Sequence, residues 1–162
     1  MVGCKLNYGG KKMEELNFIE LSNEIEEMLQ SQENIVLATC ANNKVTARMM
    51  CHINDGLTIL FSTSRNSEKA EQIKQNPYVA LAIGNLKIEA VAEHFGHPRG
   101  HTLFLKEYPK KYPHLGEIYP ENPDDLLIIV KPVKISLFKF LGKPCEDVLE
   151  VENKRAYRKK LN

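Results

Sequence analysis

The chain has 162 residues, 43% of them hydrophobic and 27% charged, with a formal net charge of +1. That length suits one domain with its own buried core, needing no disulfide or metal staple. The balanced charge argues against nucleic acid or an anionic membrane as partner, and no apolar run reaches the ~18 residues that span a bilayer.

Residues 1–12, MVGCKLNYGGKK, read as a loose N-terminal extension without the apolar core of a signal peptide, which leaves 13–162 as a single domain. The cysteines are Cys4, Cys40, Cys51 and Cys145, with no C-x-x-C pair; reduced thiols and a cytoplasmic location are expected. Phe18, Leu21, Ile25, Met28 and Leu29 recur at helical spacing, so 18–29 is an amphipathic helix. Strand signals follow over 35–41, 44–53 and 57–62, with turns at Asn42-Asn43 and Asp55-Gly56. A two-residue turn at Asn42-Asn43 sets Cys40 opposite Val45. At ~3.3 Å per residue, Cys51 then lies too far along the strand for a disulfide with Cys40.

Ser67 caps a short helix that Pro77 stops. Strands at 78–84 and 86–95 flank Gly84-Asn85. Residues 99–115 start as a helix and are expected to break at Pro109 and Pro113. Segments 126–132 and 133–141 close the β content, as one long strand bent at Pro132. The cation-rich end, NKRAYRKKLN, reads as a solvated tail. Short strands with few helices give a mainly β (α+β) antiparallel barrel with helical decoration.

Period-two alternation puts Val45, Ala47, Met49, Cys51 and Ile53 on one face of the second strand, expected to be core. Thr46, Arg48, Met50 and His52 take the other, toward a ligand, a partner or solvent. With Asp55-Gly56 as the turn, Arg48 falls opposite Thr63 and Met50 opposite Phe61. Lys69 follows at the start of the next helix. An Arg fork, a Lys, a helix start and the hydroxyls of Ser62, Thr63 and Ser67 suit a phosphate monoester. The same residues also fit surface charges and turn-forming hydroxyls. His94, His97 and His101 suggest a metal or haem site, but Gly96, Pro98 and Gly100 favour a polar loop. His52 fits either a ligand contact or a structural role. Cys51 reads as a buried small hydrophobe and Cys145 as a loop residue; no nucleophile or other catalytic residue is named.

Arg48-Met49-Met50-Cys51-His52-Ile53, then Ser62-Thr63, then Ser67-Glu68-Lys69, with Gln75-Asn76-Pro77 before the next strand, form an ordered series. The series resembles the FMN site of the pyridoxamine 5′-phosphate oxidase-like split-barrel family, over about residues 18–94. The resemblance implies a six-stranded antiparallel Greek-key split barrel with peripheral helices, working as a homodimer with FMN at the subunit interface. The phosphate would meet Arg48, Lys69, Ser62, Thr63 and Ser67. The flavin ring would lie along the backbone of Met50, Cys51, His52 and Ile53, beyond Met49 of the same motif.

The chain departs from the family at Glu68, where the motif has Arg. It also has no Trp and lacks the Trp- and Arg-rich end that recognises pyridoxal phosphate. The implied function is an FMN-dependent oxidoreductase acting on a small molecule, without the vitamin-oxidase activity. The alternatives are a non-catalytic flavin-binding protein and a haem-binding relative that uses the 94–101 histidine loop.

Overall fold

The computed structural model describes residues 7–8, 11–118 and 121–161. Turns form where residues tolerate positive φ. Asn42 (φ 50°) and Asn43 (φ 62°) fold β3 (Asn34–Ala41) onto β4 (Lys44–Cys51), pairing Cys40 with Val45 as expected. Gly84 (φ 51°) joins β7 (Tyr78–Ile83) to β8 (Leu86–Gly96). Between β5 (Ile53–Asp55) and β6 (Thr58–Ser64), Asp55 pairs with Thr58, so the turn is Gly56-Leu57 rather than Asp55-Gly56. Gly56 (φ 57°) supplies the positive φ at the first turn position.

Asn17 caps α1 (Phe18–Ser31), accepting from the Ile19 and Glu20 amides; Ser67 caps α2 (Glu68–Gln75), accepting from Ala70. The helix α3 (Thr102–Lys111) runs through Pro109, where a break was expected, and ends at Tyr112 before Pro113. An inner proline removes one donor, whereas the residue before a proline is driven out of helical conformation, so Pro113 is the effective stop. A short α4 (Leu115–Ile118) follows.

The expected long strand exists. β9 (Asp125–Phe140) has β8 along one edge for most of its length. Its other edge pairs with β6 over Asp125–Val130 and with β10 (Pro144–Glu150) over Lys134–Phe140. Pro132 lies opposite Ala90, where β8 shifts register, so the missing amide falls at a bulge. The order β4-β3-β7-β8-β9 with β6 on the far edge of β9 gives the six antiparallel strands of the expected barrel. The sheet does not close, because β4 bonds only to β3 and β6 only to β5 and β9.

Four further strands extend the sheet. The cation-rich end is not a solvated tail: β11 (Arg155–Lys160) pairs with β10 and with Met13–Glu15 of β2 (Lys11–Glu15). The expected loose extension at 1–12 lies mostly outside the described residues. Its described part enters β2 and β1 (Asn7–Tyr8). Cys145 is not in a loop but buried in β10, and Cys40, Cys51 and Cys145 are unpaired.

Ile35, Leu37, Ile59, Phe61, Ile88, Ile128 and Ile135 fill the barrel, and Ile25 and Leu29 of α1 belong to the same buried core. Each such side chain contributes ~1.5–3 kcal/mol by leaving water. The face assignment for β4 is reversed: Val45 and Met49 are exposed, while Met50 and His52 are buried. Alternation defines two faces but not which one is inward. The inward side follows β3, whose Ile35 and Leu37 are fully buried opposite Met50 and Arg48.

The extension is fastened by charge. The Asp147 carboxylate accepts from Arg158 Nε and Nη2 at 2.6 and 2.9 Å and lies 3.0 Å from Lys139 Nζ, which also reaches Glu24 of α1. Its side chain is 2% exposed, and removing it would leave the half-buried Arg158 and Lys139 only their outer partners, Glu14 and Glu24. Asp147→Ala is expected to lower the urea midpoint, by less than the ~3–5 kcal/mol that breaking a fully buried pair costs. An unchanged midpoint would mean that the pair adds nothing to the packing of β10 on β11.

Candidate functional site

The split between β4 and β6 gathers the polar residues expected to bind phosphate. Arg48 comes from β4, Thr63 from the end of β6, and Ser67 and Lys69 from the cap and first turn of α2. Lys69 Nζ donates to Thr63 Oγ1 at 3.0 Å, and the Thr63 and Ser67 hydroxyls lie 3.2 Å apart. Ser62 is half-buried beside Thr63. Arg48 is not the cross-strand neighbour of Thr63, which pairs with Leu126 of β9 while Arg48 pairs with Leu37. The two residues face the split from separate strands, and α2 bridges them.

Arg48 is half-buried, with its stem against the core and its head on oxygen acceptors. Nη1 donates to Thr39 Oγ1 at 2.7 Å and to the Leu37 carbonyl at 3.2 Å, and Nη2 donates to Thr46 Oγ1. Neither Arg48 nor Lys69 has a carboxylate within 4.0 Å among the described residues. Burial lowers the pKa of the Arg48 guanidinium, against the opposing pull of Glu68. Burial, and then the Arg48 charge, lower that of Lys69. Two like charges thus share a partly desolvated place, an arrangement that an anion would stabilise. Glu68 sits 2.6 Å from Lys44 Nζ, and both side chains are more than half exposed.

The remaining strand residues are placed differently. Ile53 is buried with Leu60, Phe104 and Tyr112, Met49 faces outward, and Cys51 is half-buried near Asn34. His52 is fully buried where β4 breaks from β5. Its amide donates to the Tyr112 hydroxyl at 3.0 Å, so that N–H is not free for a flavin edge. The Tyr112 hydroxyl also contacts the carbonyls of Glu33 and His52, tying α3 to the start of β3. His52 Nε2 donates to the Leu29 carbonyl at 3.0 Å, leaving a lone pair on Nδ1 with no partner among the described residues.

Two imidazoles of the histidine loop act as caps. His97 Nδ1 accepts from the Arg99 amide, and His101 Nδ1 accepts from the Phe104 amide at the start of α3, each at 3.2 Å. His94 stands exposed on β8. The described residues hold no cluster of three His, Cys, Asp or Glu arranged for a metal.

Sequence reasoning missed Thr39, Gln72 and Tyr112. Thr39 interrupts an apolar alternation on β3, and Gln72 follows Lys69 by three positions on the buried face of α2 beside Ala70 and Ile73. A polar residue on an otherwise apolar stripe was the available signal.

The family model described as pyridoxamine 5′-phosphate oxidase matches residues 21–139. The chain belongs to this family. Among curated proteins, general stress protein 26 of Bacillus subtilis is 33% identical over 69 residues, which is 43% of this chain and 49% of the relative. The chain therefore aligns with about half the length of that relative. The general stress protein 26 structure from Bacillus anthracis superposes with a TM-score of 0.58 at 24% identity, over 72% of this chain and 92% of that one. The heme storage protein HutZ of Vibrio cholerae gives 0.55 at 18% identity, over 68% and 88%. At these identities the likeness is one of fold.

Burial, and then the Lys111 charge, hold the His52 imidazole down to about 4, despite its bond to Leu29. An unfolded histidine titrates near ~6.5, so the unfolded chain takes up the proton first as pH falls. The fold should therefore keep its full stability above pH ~6.5 and lose up to about 3 kcal/mol between there and pH ~4. Urea unfolding at several pH values, with His52→Leu as the non-titrating control, checks this. Equal slopes for the two proteins in that window would remove His52 as the source.

Proposed function

We propose that this family member binds FMN and acts as an FMN-dependent oxidoreductase on a small molecule. The observation that carries the reading is the pair of half-buried cations, Arg48 and Lys69, facing the β4–β6 split without a carboxylate partner. The donor set fits a phosphate monoester. Arg48 Nε and one N–H of Nη2 are not engaged by described residues, Lys69 has donors beyond Thr63, and the Thr63 and Ser67 hydroxyls adjoin. A bound flavin would supply the redox chemistry. The chain's part is to hold the phosphate, orient the ring along the open edge of β4 and limit water. The absent Trp argues against vitamin-oxidase activity. Unpaired Cys40, Cys51 and Cys145 fit a reducing cytoplasm. No helix among the described residues is long and apolar enough to cross a membrane.

A second copy would complete the site. The outer face of β4-β3-β7 carries Val45 (68% exposed), Met49 (61%) and Tyr78 (70%), with Val36, Ala38 and Ala80 between them in register. An apolar band of this kind is expected to be covered by a partner. Its continuity with the edge of β4 supports a homodimer that shares the cofactor.

The purified protein should show a flavin spectrum and bind FMN more tightly than riboflavin. Arg48→Ala should weaken FMN by about 2 kcal/mol with riboflavin unaffected, because a charge-assisted donor pair is lost. Titration of both flavins checks this, and equal dissociation constants in the unmutated protein would remove the phosphate site. Turnover with a nicotinamide donor then separates an enzyme from a flavin-storage protein.

Met49→Glu should shift the protein from dimer to monomer in sedimentation and weaken FMN with it, since a buried unpaired carboxylate opposes association. A Met49→Glu protein that remains dimeric would show that the band lies outside the interface.

A further inference from the structure

A chain of hydrogen bonds with a single possible polarity runs from α2 to Arg48. Gln72 is buried, and its Nε2 donates to the Lys44 carbonyl at 3.2 Å. A carbonyl can only accept, so this contact fixes which end of the amide faces β4. Gln72 Oε1 then faces the two hydroxyls: it accepts from Thr46 Oγ1 at 2.8 Å and from Thr39 Oγ1. Each hydroxyl has one proton, and both are committed to Gln72. Both oxygens are left with lone pairs only, and these lone pairs meet the donors of Arg48.

We infer that Gln72 is a positioning residue for the phosphate site: by fixing the hydroxyls of Thr39 and Thr46 as acceptors, it holds the Arg48 guanidinium with its remaining donors toward the β4–β6 split. The inference rests on the phosphate reading above and names the residue that gives that site its orientation. Gln72 itself touches no ligand, since it is buried behind the two threonines. Without its carbonyl, each hydroxyl would turn its proton to another acceptor and present Arg48 with a rotating dipole. The guanidinium would then lose its fixed fork, and with it the preference for a phosphate over a neutral hydroxyl.

The decisive measurement is the ratio of riboflavin to FMN dissociation constants, read by fluorescence titration on full-length protein. Gln72→Met keeps the length and apolar stem while removing both polar atoms. It is expected to weaken FMN about tenfold and leave riboflavin within about twofold, so that the ratio collapses. Thr46→Val, which removes one branch at a half-buried strand position, should give part of the same collapse, and Thr46→Ser should restore the ratio. If Gln72→Met does not fold, the Thr46→Val and Thr46→Ser pair decides alone.

A merely structural Gln72 would lower the melting temperature and weaken both flavins equally, leaving the ratio intact; that result overturns the inference. If the unmutated protein has no preference for FMN, the phosphate site falls and this role with it. If the unmutated protein prefers FMN and the variants keep that preference, the role of Gln72 alone falls.

Discussion

The fold depends on one strand that serves two ladders. β9 carries β8 along one edge, while its other edge passes from β6 to β10 at Pro132. A proline cannot donate to a ladder, and Pro132 lies in the gap between the last β6 pair, at Val130, and the first β10 pair, at Lys134. Val133 of β9 is the extra residue of the bulge there, opposite the step from Glu89 to Ala90, and it lets β9 bend while β8 stays paired on both sides. Because β6 is held by β9 and not by β4, the barrel stays open on one side. The opening is where the polar residues of β4, β6 and α2 collect, so the site follows from the strand partition.

Within that opening, burial and charge act against each other. Arg48 and Lys69 would each be more stable as ions in water, and each also feels the other's charge. What retains Arg48 is a shell of neutral acceptors, Leu37 O and the hydroxyls of Thr39 and Thr46. Neutral acceptors orient a cation without cancelling its charge, whereas a carboxylate would orient and neutralise it together. The positive potential therefore remains available in the split. The Asp147 cluster shows the opposite choice: Arg158 and Lys139 are neutralised by a buried carboxylate, which suits a joint between strands and leaves nothing for a ligand.

Much of this was legible in the sequence. Asn42-Asn43, Gly84-Asn85, the Ser67 cap and the continuous strand through Pro132 all follow from local backbone rules, and the structure has each of them. The order of the motifs was enough to name the family. What was not legible required knowing which side of a strand faces in. β4 has apolar residues on both faces, so alternation could not tell the outer Val45–Met49 band from the inner Met50–His52 face. The register of the β5–β6 hairpin turned on whether the glycine takes the first or the second turn position. The final strands, β10 and β11, are rich in charged residues because their ion pairs cross the ladder, as Asp147 and Arg158 do, and charge density in one segment resembles that of a solvated tail. Thr39, Gln72 and Tyr112 act at long range in sequence, and no local pattern joins them to Arg48 or His52.

The departure at Glu68 looks different once its neighbours are known. A carboxylate close beside a phosphate would repel it. But Glu68 is bound to Lys44 at 2.6 Å, and the first cause of its lowered pKa is that hydrogen bond. Seen from the split, the two side chains form a nearly neutral dipole. Both are more than half exposed, so water and salt further weaken what reaches Arg48. The exposed pair adds little to stability. Lys44 closes the Asn42-Asn43 hairpin, and its carbonyl is the one that orients Gln72. The ion pair and the Gln72 hydrogen bond therefore tie the first two turns of α2 to the same residue of β4, one through its side chain and the other through its backbone. An arginine at position 68 would lose this side-chain tie, because it could not pair with Lys44.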